Sequence, residues 1–232
     1  SSLNTLFLEK VYTLQKMNKF ITFEGGEGTG KSTQAKLLFK SIKNSSQKAT
    51  LTREPGGSKT GEQIRKIIVQ KKYRVHSLTE LLLIYASRNE NLNNIIIPKL
   101  KNKEIVICDR YIDSTFVYQI MGKNINKSNF EYLNKLIVRK YIPKITFVID
   151  IDPKIGIERS LKIKREETKY EELPINFHQK LRKSFVDLSK KKKRERLLDG
   201  NRPIKEIHKE IITIINSENM FKKLEPIKIN ST

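Results

Sequence analysis

The sequence predicts an α/β fold built on a parallel sheet with helices on both faces. Three observations lead there. Strand-like and helix-like segments alternate along the chain. Two strand segments, Ile105-Val106-Ile107-Cys108-Asp109 and Ile145-Thr146-Phe147-Val148-Ile149-Asp150, are almost continuously apolar, as strands covered on both faces are. A short β-rich run, Phe20-Ile21-Thr22-Phe23, leads directly into a glycine-rich loop and then a helical pattern.

The elements follow in order. The first strand is Phe20 to Phe23, and its helix spans Gln34 to Ser41. Ala49-Thr50-Leu51-Thr52-Arg53 is a second strand, broken by Pro55-Gly56-Gly57. Gln63 to Val69 places Ile64, Ile67 and Ile68 on one helical stripe. A longer helix starts near Leu78, and Pro98 marks or kinks its end. The strand to Asp109 comes next. Ser128-Asn129-Phe130-Glu131 reads as a capping box, with Phe130, Leu133 and Ile137 as the apolar stripe of the helix it opens. After the strand ending at Asp150, Pro153 suits the first turn of another helix. A charged stretch, Lys162 to Glu172, precedes a basic helix. Arg196-Leu197-Leu198-Asp199 is a fifth strand, and Pro203 to Ile215 a closing helix. With no repeat and no linker, residues 17–215 form one domain, 1–16 an extension and 216–232 a tail.

The loop Gly25-Gly26-Glu27-Gly28-Thr29-Gly30-Lys31-Ser32 fits G-x-x-x-x-G-K-[ST]. Glycines let backbone N–H groups converge on phosphate oxygens, and the helix that follows adds unpaired N–H groups and its positive end. Lys31 is placed to reach the β/γ-phosphates, and the Ser32 hydroxyl to ligate Mg²⁺. Thr33 completes the phosphate-binding segment.

Composition sets outer bounds. No apolar run approaches the ~18 residues of a membrane span. Cys108 is the single cysteine, which excludes an internal disulfide framework and suits a reducing cytosol. Ser1 to Lys16 lacks the basic start and long apolar core of a secretory signal. The formal net charge of +22 attracts polyanions, but lysines are spread over the whole chain, which favours a generally basic surface over a nucleic-acid patch. Lys190-Lys191-Lys192-Lys193-Arg194 reads as a solvated helix end rather than a nucleic-acid patch or nuclear address.

A phosphate loop alone fits kinases, GTPases, helicases and transporters, so other residues must choose. Asp109 ends an apolar strand, the place for a carboxylate that helps hold Mg²⁺. The residue after it is Arg110, where nucleic-acid motors carry a Glu that polarises water. An arginine suits gripping a second phosphate-bearing substrate.

Four segments in order resemble thymidylate kinase: Phe23 to Gln34, Thr52-Arg53-Glu54-Pro55-Gly56-Gly57, Leu82-Leu83-Ile84-Tyr85-Ala86-Ser87-Arg88, and Asp109-Arg110-Tyr111-Ile112-Asp113-Ser114-Thr115 with Tyr118-Gln119. The resemblance implies a doubly wound parallel five-stranded sheet of the phosphate-loop NTPase type, a small mobile lid at about 162–172, and a homodimer. It implies ATP-dependent phosphorylation of dTMP with Mg²⁺, and small-molecule nucleotides rather than nucleic acid or membrane as partners. Carried over by position, Lys31 holds the ATP phosphates and Ser32 and Asp109 the metal. Glu27 lies near the sugar 3′-hydroxyl, and Arg53 and Arg110 bind the dTMP phosphate. Arg88 donates to thymine O4, which disfavours cytosine. Thr115 and Gln119 contact the base, and Tyr118 crowds the sugar 2′ position.

Three departures stand out. Ile84 occupies a position where many relatives carry a phenylalanine that stacks on thymine, and loses an offset-stacking contribution of ~0.5–1.5 kcal/mol. The lid reads Thr168-Lys169-Tyr170-Glu171 where many relatives have Asp-Arg, so lysine keeps the charge and loses the fork. Arg165 is then the lid arginine, with Arg159 in reserve. Ile120-Met121 stands where relatives more often have a small residue. The rival readings are another nucleoside-monophosphate kinase and a basic nucleic-acid-binding ATPase.

Overall fold

The structure is a computed structural model that describes residues 19–70, 72–162 and 169–229. Five parallel strands form one sheet: β1 (Phe20–Glu24), β2 (Ala49–Arg53), β3 (Ile105–Asp109), β4 (Ile145–Asp150) and β5 (Glu195–Asp199), in the order β2-β3-β1-β4-β5. The helices are α1 (Lys31–Asn44), α2 (Lys59–Val69), α3 (Ser77–Asn91), α4 (Ile97–Lys101), α5 (Ile112–Thr115), α6 (Lys127–Leu133), α7 (Pro153–Leu161), α8 (Ile175–Lys191) and α9 (Ile204–Ser217).

The sheet is buried on both faces, as the apolar strands predict. Ile21, Phe23, Ile105 and Ile107 pack with Leu38 and Ile42 of α1 and Ile211 and Ile215 of α9. Their strand neighbours Phe20, Val106 and Cys108 point the other way, against Leu81 and Tyr85 of α3 and Leu92. Register puts Phe23, Arg53 and Asp109 level with one another at the carboxyl ends of their strands. That edge, beside the central strand where the chain order reverses, is where an open α/β sheet holds its ligands.

Several boundaries differ from the sequence reading for local reasons. α1 begins at Lys31 because the helix grows directly out of the loop, with Gly30 as its left-handed cap. α2 begins at Lys59 because Ser58 caps it, accepting from Gly61 N. Asn126, not Ser128, caps α6, its side chain accepting from Ser128 N. Pro98 does not end its helix: the chain widens into a π-helical turn over Leu92–Ile96 and continues as α4. A proline lacks the N–H and crowds the carbonyl four residues back, and a wider turn relieves both.

The basic run also differs from the expectation. Lys190, Lys191 and Lys193 are exposed, but Lys192 and Arg194 turn inward to the buried Asp113, at 2.5 Å each. These two charges serve the fold. Beyond α9, Met220 and Leu224 join the core on the α1 side, and Ile227 N donates to His208 Nε2 at 3.1 Å.

Candidate functional site

The phosphate loop joins β1 to α1 and is tight against its surroundings. At Gly28 (φ +63°) an added Cβ would stand 1.8 Å from the Gly156 carbonyl oxygen on α7, so only glycine fits. Lys31 is buried, and its ammonium donates to the Gly26 carbonyl and, at 3.3 Å, to Thr29 Oγ1. Burial, then the nearby Arg110 charge, lower its pKa to about 8. Ser32 Oγ donates to Asp109 Oδ2, so the two expected metal ligands are in contact.

Arg110 follows β3 with φ +68°, a conformation held by its N–H donating to the Phe23 carbonyl at 2.9 Å. Its Nη1 donates to the Gly25 carbonyl (2.8 Å) and Ser114 Oγ (3.1 Å), and Nη2 to Glu27 Oε1 (2.9 Å). Burial opposes its charge, but Glu27 and other neighbours more than offset this and raise its pKa, so it stays a cation. Tyr118 closes the group: its hydroxyl donates to Glu27 Oε1 at 2.7 Å, and Arg110 stacks 5.0 Å above its ring. Arg53 is half exposed and rests on Glu62, with Nη2 at 2.7 Å from Oε2.

A second group lies deeper. Arg88 on α3 is 1% exposed. Its Nε donates to Glu54 Oε2 at 2.7 Å and its Nη2 to Thr115 Oγ1 at 2.8 Å. Tyr85 and Tyr111 flank its guanidinium at 4.8 and 5.0 Å. Among the described residues Nη1 has no hydrogen-bond partner. Arg88 lines a cavity together with Ile84, Thr115, Tyr118, Gln119 and Tyr170. Burial raises the pKa of Glu54, against the pull of Arg88.

A larger, polar cleft holds the phosphate loop, Arg53, Asp109, Arg159, Arg202 and the Gly200-Asn201 turn. The cavity and the cleft share Glu27, Glu54, Arg65 and Arg110. One chamber of buried donors and apolar walls therefore opens onto one lined by the loop, and the arginine after β3 stands at the junction.

The family model for thymidylate kinase matches residues 23–211. The chain belongs to the thymidylate kinase family. A thymidylate kinase of Acholeplasma laidlawii is 39% identical over 208 residues, covering 88% of this chain and all of that protein. One from Wolbachia pipientis wMel is 43% identical over 173 residues, 73% of this chain and 84% of its own. The crystal structure of the Ehrlichia chaffeensis thymidylate kinase superposes with a TM-score of 0.68 at 36% identity, covering 85% of this chain and 97% of that one. The doubly wound α/β fold expected from the family is the fold observed.

Of the residues singled out in the sequence, Lys31, Ser32, Asp109, Arg110, Glu27 and Arg53 gather at the cleft. Ile84, Arg88, Thr115, Tyr118 and Gln119 gather at the cavity. Arg165 and Thr168 lie outside the described residues. Arg159 lines the polar cleft, its Nη1 donating to the Gly200 carbonyl at 3.2 Å. Lys169 is not a free lid charge: its ammonium donates to the Ile68 carbonyl (2.9 Å) and to buried Glu80 (3.2 Å). Sequence reasoning missed Glu54 as the partner of Arg88, Arg65 at the junction, and Tyr170 as a cavity wall. Only Glu54 left a signal, a carboxylate between an arginine and a proline at a strand end.

Proposed function

We propose that this protein transfers the γ-phosphoryl group of ATP to the phosphate of dTMP, giving dTDP and ADP. The observation that carries the reading is the junction at Arg110. A phosphate held there by a thymidine in the cavity faces the loop that cradles ATP. The acceptor needs no general base, because a nucleotide monophosphate has a second pKa near ~6 and its attacking oxygen is already ionised. The obstacle is charge, and the chain supplies cations around it. In this reading Gly25 to Thr33 and the Lys31 ammonium hold the ATP phosphates. Arg110 and Arg53 hold the acceptor phosphate in line. Arg165 supplies a further cation on the strength of the resemblance, with Arg159 at the cleft as the alternative.

The contact between Ser32 and Asp109 supports a Mg²⁺ site. Two hard oxygen donors, with no cluster of three metal-ligating side chains among the described residues, suit an ion that keeps several waters and shares substrate phosphates. When bound, Mg²⁺ neutralises charge on the β- and γ-phosphates.

On the acceptor side, the partnerless Arg88 Nη1 donates to thymine O4, and Glu54 and Thr115 fix its direction. Gln119 meets the same base edge and Ile84 its face. Glu27 accepts from the 3′-hydroxyl, and Tyr118, tied to Glu27, fills the 2′ side. A homodimer fits the exposed apolar side chains Leu78 and Leu82 on α3 and Tyr132 and Leu136 further along the chain. A cytoplasmic setting fits the single buried cysteine, and no helix among the described residues is long and apolar enough to cross a membrane. Residues 17–215 serve as the kinase domain, with 1–16 an extension, about 162–172 the lid and 216–232 the tail.

The test is a phosphorylation panel of dTMP, dUMP, dCMP, dGMP and AMP with ATP and magnesium. dTMP is the expected acceptor. An untouched dTMP together with ATP hydrolysis stimulated by oligonucleotide would overturn the reading.

A further inference from the structure

Glu80 on α3 is a buried carboxylate, 1% exposed, that the mechanism above does not use. Four side chains donate to it: Gln119 Nε2 at 3.0 Å, Lys123 Nζ at 2.5 Å, Tyr170 OH at 2.8 Å and Lys169 Nζ at 3.2 Å. Burial alone would favour its neutral form, but the two lysines and the tyrosine hydroxyl outweigh burial and hold its pKa below the usual range. It is therefore a carboxylate at neutral pH, and a carboxylate only accepts hydrogen bonds.

That fixes an otherwise ambiguous group. The amide of Gln119 has two ends of nearly equal shape, and its orientation follows from what surrounds it. With Glu80 on one side, only the nitrogen can face the carboxylate. The oxygen is left as the other end, and among the described residues no group donates to it. Gln119 and Arg88 line one cavity, and the groups these two side chains have left for a ligand there are an acceptor, Gln119 Oε1, and a donor, Arg88 Nη1. Thymine offers N3–H beside the O4 acceptor and matches both. Cytosine offers an N3 acceptor beside an amino donor and matches neither.

We infer that Glu80 is a specificity-determining positioning residue: by fixing the Gln119 amide it makes the base cavity complementary to thymine and not to cytosine. The inference rests on dTMP being the acceptor. It acts at a distance from the substrate, through Gln119, so the readout is selectivity. In Glu80→Met no acceptor faces the Gln119 amide, and Gln119 is free to turn. The ratio of kcat/KM for dTMP over dCMP should fall ~10- to 100-fold, mostly through KM for dTMP, with KM for ATP unchanged. The double variant Glu80→Met with Gln119→Glu returns the lost negative charge at the neighbouring position, presents an acceptor toward the base whichever way the side chain turns, and should recover most of the ratio. An unchanged ratio in the single variant, or no recovery in the double, overturns the inference. A measurement on the unaltered protein decides the matter if the variants do not fold. N3-methyl-dTMP has no N3–H and should be rejected; acceptance equal to dTMP means that no acceptor faces N3. If the unaltered protein phosphorylates another monophosphate and not dTMP, the proposed function is what fails.

Discussion

Replacing Arg88 by methionine isolates the buried pair on which base recognition rests. The substitution keeps an unbranched apolar stem and removes the guanidinium with its charge. Among the described residues the Glu54 side chain, on a residue 3% exposed, would be left with Asn91 Nδ2 at 3.2 Å as its hydrogen-bond partner. Removing one member of a buried pair costs about 3–5 kcal/mol, because the other charge stays buried without compensation. For 232 residues the unfolding entropy is roughly 0.5 kcal/mol per kelvin, so Tm should fall by ~6–10 °C. The pH dependence has a definite sign. The folded-state pKa of Glu54 is already raised, by burial, and losing Arg88 raises it further. A raised carboxyl favours the folded state while protonated and loses that contribution as pH rises through its folded pKa. The Tm deficit should therefore be larger at pH 8 than at pH 5. Arg88→Lys separates stability from function. A lysine still offers Glu54 a cation but has no fork, so most of the stability returns while kcat/KM for dTMP stays ~10- to 100-fold down. Melting curves at the two pH values and dTMP kinetics measure both. If Arg88→Met melts within ~2 °C of the parent at both pH values, the pair is not dry and the reasoning fails.

Other outcomes follow from the cleft. Lys31→Ala should abolish dTDP formation and leave the melting transition in place; full activity would remove the loop assignment. Because the pKa of Lys31 is lowered to about 8, its charge is lost as pH rises past that value. KM for ATP should then climb by up to ~10-fold per pH unit above 8, and a flat profile from pH 7 to 9 would count against Lys31 as the phosphate ligand. Ser32→Ala should raise the magnesium concentration needed for half-maximal turnover, read by titration at fixed ATP. In Gly156→Ala the new Cβ would stand 2.3 Å from the Glu27 carbonyl oxygen, so α7 or the loop must move. Turnover should fall with the ATP KM raised, and unaltered kinetics would show that the loop tolerates the shift.

The fold was legible because the strands carry their own address. β3 and β4 are apolar on both faces, as strands of a covered parallel sheet are, and the alternation with helices supplies the rest. The boundaries were less legible where a single side chain decides them. Ser58 and Asn126 each win a cap by the hydrogen bond they accept, and nothing in their spacing distinguishes them from Ser128. Lys192 and Arg194 look like any basic surface run. Only the fold reveals that Asp113, far away in sequence, waits beneath them.

The site divides in the same way. The phosphate-binding half is local: strand, loop and helix follow one another, so a few adjacent residues announce it. The base-binding half is assembled from the turn after β2, α2, α3, α5 with the segment after it, and the chain before α8, and no spacing rule joins them. Lys169 shows the consequence. Read along the chain, it replaces a lid arginine and offers a charge to phosphate. In the structure its charge meets Glu80, which also holds Gln119 and Tyr170. A lysine suits that role better than an arginine would, since a compact ammonium can satisfy one carboxylate oxygen and the Ile68 carbonyl together. The same substitution that weakens the case for a phosphate contact thus strengthens the wall of the base cavity. Lys169→Met should accordingly raise KM for dTMP more than it lowers kcat. A loss confined to kcat would return Lys169 to the phosphates.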